Sequence, residues 1–98
     1  MKILFVHPEC RTVEPPQHPP YGILGLAAIT DQLGHKVAVF DNNCFRLPID
    51  AVRQTVKEEQ WDVIGISGLI TQTKAIKPIV KVCREEHPAA VIVGGGGF

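Results

Sequence analysis

The sequence predicts an α/β domain on a parallel sheet, four strands alternating with three helices. Two observations carry that expectation. Four short, largely apolar runs, at residues 3–6, 37–41, 63–67 and 90–93, read as strands, the first of them apolar enough to be buried on both faces. Between them lie three stretches with apolar residues at helical spacing, each long enough to cross from one strand to a parallel neighbour. At 98 residues, 45% hydrophobic and 20% charged, the chain is one globular domain with a modest core.

The first strand, Ile3-Leu4-Phe5-Val6, ends at His7-Pro8. From His7 to Pro20 the chain has five prolines and few apolar residues, which predicts an extended loop. A loop that long inside a small α/β domain points to function or mobility. Residues 21–33 read as a helix whose stripe is Ile23, Leu26, Ala27, Ile29 and Leu33, widened by Leu24 and Ala28. Gly34 is placed to cap it in the left-handed conformation. Gly22 and Gly25 share a face at its start. They admit either a ligand or close packing on the sheet.

Residues 37–41 form the second strand, and Asn42-Asn43-Cys44 a turn. Pro48 suits the first position of a helix over 49–59, with Ile49, Val52 and Val56 inward and Trp61 packed at its end. Strand three, residues 63–67, runs into Ser67-Gly68-Leu69-Ile70-Thr71. The third helix, 73–86, turns Ile76, Ile79, Val80 and Cys83 inward, with Pro78 as an awkward member. Strand four, 90–93, is followed by Gly94-Gly95-Gly96-Gly97.

This alternation predicts a flavodoxin-like (Rossmann-like) parallel sheet in the order 2-1-3-4. A complete domain of that kind has a fifth strand and a last helix, so the chain reads as a C-terminally incomplete piece of a longer protein. Strand four would then be an exposed apolar edge open to self-association.

Bulk properties narrow the function. Lys plus Arg and Asp plus Glu both number 10, giving zero net charge, which argues against a general nucleic-acid binder. The first apolar run is too short for a signal-peptide core or a membrane span, so a cytoplasmic location with no membrane partner is expected. Cys10, Cys44 and Cys83 are far apart and lack metal-type spacing, so they read as reduced thiols.

Ligands of such sheets bind at the carboxyl edge of the strands. Three features lie there. Ser67 and Thr71 offer hydroxyls and Gly68 lets a ligand approach the backbone, although Thr71 or Thr73 also suits a helix cap. Gly94 and Gly95 make sense where a bulky or phosphate-bearing group lies against the main chain, or as a flexible tail. The run is neither G-x-G-x-x-G after a first strand nor a phosphate-binding G-x-x-x-x-G-K-[ST]. His7 is placed either to meet a ligand or metal, or to be held by a backbone carbonyl. Glu9, Glu14 and Asp41 show no spacing that pairs them, and no catalytic triad is evident.

Taken together, Ser67-x-Leu69 after strand three and Gly94-Gly95 after strand four resemble the cobalamin-binding Rossmann-like domain. Gly65-Ile66-Ser67-Gly68-Leu69-Ile70-Thr71 is similar to the same stretch in cobalamin-dependent methionine synthases. The resemblance implies that Ser67, Leu69, Thr71, Gly94 and Gly95 line a groove for the nucleotide tail of the cofactor. The family's D-x-H-x-x-G, whose histidine ligates cobalt from below, is missing. His7 and His18 both lack its flanking residues, so neither takes that role.

The amino-terminal half, Met1 to Pro8, Pro19-Pro20-Tyr21-Gly22, Leu26-Ala27-Ala28, Gly34-His35-x-Val37 and Asp41, is similar to the front of cobalamin-dependent radical SAM proteins, which usually lack that histidine. The resemblance implies that residues 1–98 are the cobalamin module of such an enzyme, of the methyltransferase or radical cyclase and rearrangement class. His7 and Gly22 would join the cofactor site, with no catalytic residue and no protein ligand to the metal. Its partner would be a following radical SAM domain of the same chain. That domain would carry C-x-x-x-C-x-x-C, a [4Fe-4S] cluster and S-adenosylmethionine, and the present sequence contains no such motif. Two other readings compete: a receiver-like module that binds a partner protein, and a flavin- or nucleotide-binding fragment. A receiver needs clustered acids after strand one and an aspartate after strand three, where this chain has His7-Pro8-Glu9 and Ser67-Gly68. A flavin site needs a Ser/Thr/Gly-rich loop where this chain is rich in proline.

Overall fold

A computed structural model describes residues 1–8, 21–42, 47–67 and 73–95. Its elements are β1 (Lys2–His7), α1 (Tyr21–Gln32), β2 (Lys36–Asp41), α2 (Ile49–Lys57), β3 (Val63–Ser67), α3 (Thr73–Glu86) and β4 (Val91–Gly95). The strands form one parallel sheet in the order β2-β1-β3-β4. This is the expected flavodoxin-like α/β fold. β4 pairs with β3 alone among the described residues, so it is an edge.

Alternation along the strands sends successive side chains to opposite faces. On one face Leu4, Val6, Ile64 and Ile66 meet Val52 and Val56 of α2 and Ile76, Ile79, Val82 and Cys83 of α3. Trp61 closes the same cluster. Val52 and Val56 are fully buried, each stabilising the fold by about 1.5–3 kcal/mol. Burial pushes the Cys83 thiol up to about 11, so it is a protonated core group. Arg53 of α2 reaches Glu86 at 2.7 Å and Glu85 at 3.1 Å on α3 and ties the two helices across their surface.

The opposite face is thinner. Ile3 and Phe5 of β1 pack with Ile23 of α1, supported by Ala27, Val37 and Val63. The expected stripe of α1 is only partly used. Ile23 is buried and Ala27 packs against the cluster, but Leu24, Leu26, Ile29 and Leu33 are exposed, Leu33 by 71%. The helix is apolar nearly all round, whereas the sheet can cover one side of it. Gly25 is also exposed, with open space where a Cβ would stand, so close helix–sheet packing does not explain that glycine.

Gly34 caps α1 as expected, with φ at +91°. The His35 amide donates to the Thr30 carbonyl at 3.2 Å and the Gly34 amide to that of Asp31 at 3.0 Å, a left-handed cap that satisfies the last carbonyls. Pro48 stands one position earlier than expected, as the N-cap of α2, its carbonyl accepting from Ala51 and Val52. Ile49, in the first turn of α2, is exposed rather than inward, while Val52 and Val56 are buried. The α3 helix continues through Pro78, which is exposed. Asn42 is buried, and its side chain accepts from the Leu47 amide at 2.8 Å and donates to the Leu47 carbonyl at 3.3 Å, closing the connection after β2. No helix among the described residues is long and apolar enough to cross a membrane.

Candidate functional site

The register of the sheet builds a row at its carboxyl edge. His7 of β1 pairs with Asp41 of β2. Val6 pairs with Ile66, so His7 comes level with Ser67 of β3, which pairs in turn with Gly95 of β4. By alternation from Phe5, Val39, Gly65 and Val93, all four residues face the α1 side of the sheet. The His7 Nδ1 lies 3.2 Å from the Ser67 Oγ, a half-buried hydrogen bond whose direction the imidazole tautomer sets. Burial lowers the His7 pKa below its ordinary 6.5, and the negative charge of Asp41 partly opposes that effect. The net shift favours the uncharged ring.

Beside this pair, among the described residues, the same face of β4 is exposed. α1 packs over β2 and β1. On the same face, Val91 and Val93 of β4 are 59% and 50% exposed. Gly95 is exposed as well, with no atom within 4 Å of the position a Cβ would take. Gly94 and Gly95 belong to β4, paired with Ile66 and Ser67, rather than to a loop after it. The strand therefore runs two residues further than its apolar run. It carries side-chain-free backbone to the edge beside Ser67. Gly65 has a different reason: a Cβ there would stand 2.9 Å from the Cδ1 of Phe5, whose ring occupies the space above it.

Of the residues expected in the site, His7, Ser67, Gly94 and Gly95 come together on three adjacent strands. Gly22 is the second residue of α1. Gly68, Leu69 and Thr71 lie outside the described residues, as do Glu9, Glu14 and His18 of the proline-rich stretch. Among the described residues, the contact His7 makes is with a side-chain hydroxyl, that of Ser67. Sequence reasoning missed that contact and the place of Asp41 opposite His7. The signal was present in the 2-1-3 strand order, which brings the last residues of the three runs level.

The model of the B12 binding domain matches residues 11–98. The chain belongs to that family. No match was found among curated proteins or solved structures.

A B12-binding domain must accept a large cofactor whose tail is rich in oxygen and nitrogen acceptors. The described residues of this one fit such a group. Open backbone at Gly95, a hydroxyl at Ser67 and a strip of exposed valine side chains lie next to one another on one face. Phosphate and base can meet the first two, and the apolar strip gives the flat base a surface to lie on.

Proposed function

We propose that this B12-binding domain is the front module of a radical SAM enzyme, and that it holds cobalamin with no protein histidine below the cobalt. The observation that carries the site is the pairing of Ser67 with Gly95 beside the exposed α1-side face of β4. The nucleotide tail would run along that face, between the turn carrying Gly68, Leu69 and Thr71 and the glycine run. The corrin would sit over the carboxyl edge, with the stretch from His7 to Pro20 beneath or beside it. Gly22, at the start of α1, would border the cofactor.

One feature supports a cobalt without a lower histidine: His7 stands outside the D-x-H-x-x-G pattern. Likeness to the radical SAM class rests on the amino-terminal half, where His7-Pro8, Pro19-Pro20-Tyr21-Gly22 and Gly34-His35-x-Val37 occur in order. When bound, the cofactor supplies methyl-transfer or radical chemistry at cobalt. The residues of this domain bind and orient it and exclude water. A cytoplasmic radical SAM domain of the same chain, with its [4Fe-4S] cluster and S-adenosylmethionine, would perform the reaction. Self-association through the β4 edge belongs to the same proposal, since β4 pairs with β3 alone among the described residues and exposes Val91 and Val93.

The experiment for the radical SAM part is to read the roughly 150 residues that follow in the parent gene, about one further domain, and to reconstitute the full-length protein with iron and sulfide. A C-x-x-x-C-x-x-C there, with cluster absorbance lost on its replacement by alanine, is expected. A continuation without that motif leaves a cobalamin-binding domain of another enzyme class and overturns this part of the proposal.

A further inference from the structure

We propose that His7 sets the hydrogen-bonding polarity of Ser67, donating from Nδ1 to the serine oxygen so that the serine proton points to the open side of the sheet. The inference rests on the reading of Ser67 as a residue that meets the cofactor tail. It makes His7 a positioning residue, acting through Ser67 and not on the metal.

A serine hydroxyl has one proton and two lone pairs. At 3.2 Å from the His7 Nδ1, Ser67 has two possible states. A bare Nδ1 takes the serine proton and leaves only lone pairs facing outward. An Nδ1 that carries hydrogen donates to the Oγ and frees the serine proton for a ligand. Phosphate oxygens and an unligated ring nitrogen offer only lone pairs. Such a ligand therefore selects the second state, a relay from Nδ1–H to Oγ–H to the tail. Each bond of the relay polarises the next in the same sense. The geometry suits it, because both groups are half-buried at strand ends and share the α1 side with Gly95.

The test measures the affinity of the full-length protein for two ligands, hydroxocobalamin and cobinamide, the latter being the same corrinoid without its nucleotide tail. Four proteins are compared with the wild type: His7→Leu, His7→Asn, Ser67→Ala and the double variant His7→Leu/Ser67→Ala. Asparagine supplies an amide N–H near the position of Nδ1 and has no second ring nitrogen. His7→Leu should weaken hydroxocobalamin by roughly three- to tenfold, the scale of one neutral hydrogen bond. It should weaken cobinamide clearly less, and an unchanged far-UV circular dichroism spectrum checks that the variant is folded. His7→Asn should restore most of the loss, and the double variant should bind no more weakly than Ser67→Ala alone.

The inference is overturned if His7→Leu matches the wild type, if it weakens both ligands alike, if His7→Asn is as weak as His7→Leu, or if the two losses add. In those cases the tail reading still stands wherever Ser67→Ala weakens hydroxocobalamin and spares cobinamide. If Ser67→Ala has no such effect, or the wild type does not prefer hydroxocobalamin, the tail reading fails and the inference with it.

Discussion

The Nδ1 of His7 lies 3.2 Å from the Oγ of Ser67, joining the carboxyl ends of β1 and β3 on the side of the sheet that α1 leaves partly open. The contact spans 60 positions of sequence. Among the described residues, it marks the one place where a titratable group, a hydroxyl and open glycine backbone meet in a single row across the strands.

The first prediction concerns pH. Burial lowers the His7 pKa from 6.5, so the folded chain binds this proton less tightly than the unfolded chain. The unfolded state then holds more protons in the window between the lowered value and 6.5. The His7 contribution to stability is full above that window and is lost as pH falls through it. Urea unfolding of the wild type and His7→Asn at about pH 7.5 and about pH 5.5 measures the difference. The wild type should lose more stability on acidification than the variant. Equal losses would show that His7 titrates alike in both states.

A second prediction follows from the ring of Phe5. A Cβ on Gly65 would stand 2.9 Å from its Cδ1 and 3.2 Å from its Cε1. Phe5 is buried against Ile3 and Ile23, so the ring has little room to retreat. Gly65→Ala should destabilise the fold by about 1–3 kcal/mol through overpacking. Phe5→Leu in the same chain should recover part of that loss, measured as a non-additive double-mutant cycle in urea. Strictly additive losses would place the cost in the backbone instead.

The third prediction concerns Asn42. Its amide satisfies both the N–H and the carbonyl of Leu47 from a buried position. Asn42→Ala removes both bonds and should cost about 1–3 kcal/mol. Asn42→Asp keeps the acceptor for the Leu47 amide and loses the donor to its carbonyl, so it should fall between the two in thermal unfolding. A variant as stable as the wild type would mean that the clamp holds nothing the fold needs.

Much of the fold was legible because every strand is an apolar run and every crossover is helical. The order 2-1-3-4 is the one that flavodoxin-like sheets with right-handed connections adopt. The packing of α2 and α3 was also readable, since Val52, Val56, Ile76 and Ile79 recur at helical spacing. Val82, three residues beyond Ile79, was missed although the same spacing points to it. The role of α1 was less legible. Its sequence is apolar on several sides, and periodicity cannot say how much of the sheet's far face lies beneath it. The end of β4 was hidden for another reason: glycine carries no strand signal, and only pairing with Ile66 and Ser67 makes Gly94 and Gly95 part of the sheet. The site residues Ser67, Gly94 and Gly95 were found by motif, whereas the contact of His7 with Ser67 needed the register.

Titration of hydroxocobalamin into the full-length protein, followed in the visible spectrum, tests the central claim most directly. The wild type should bind at one equivalent with an altered spectrum. Ser67→Leu, which removes the hydroxyl and fills the space beside Gly95, should weaken binding by about tenfold or more, ~1.4 kcal/mol. A spectrum unchanged at stoichiometric cobalamin, or a Ser67→Leu variant that binds as tightly as the wild type, would contradict the assignment of the cofactor to this edge.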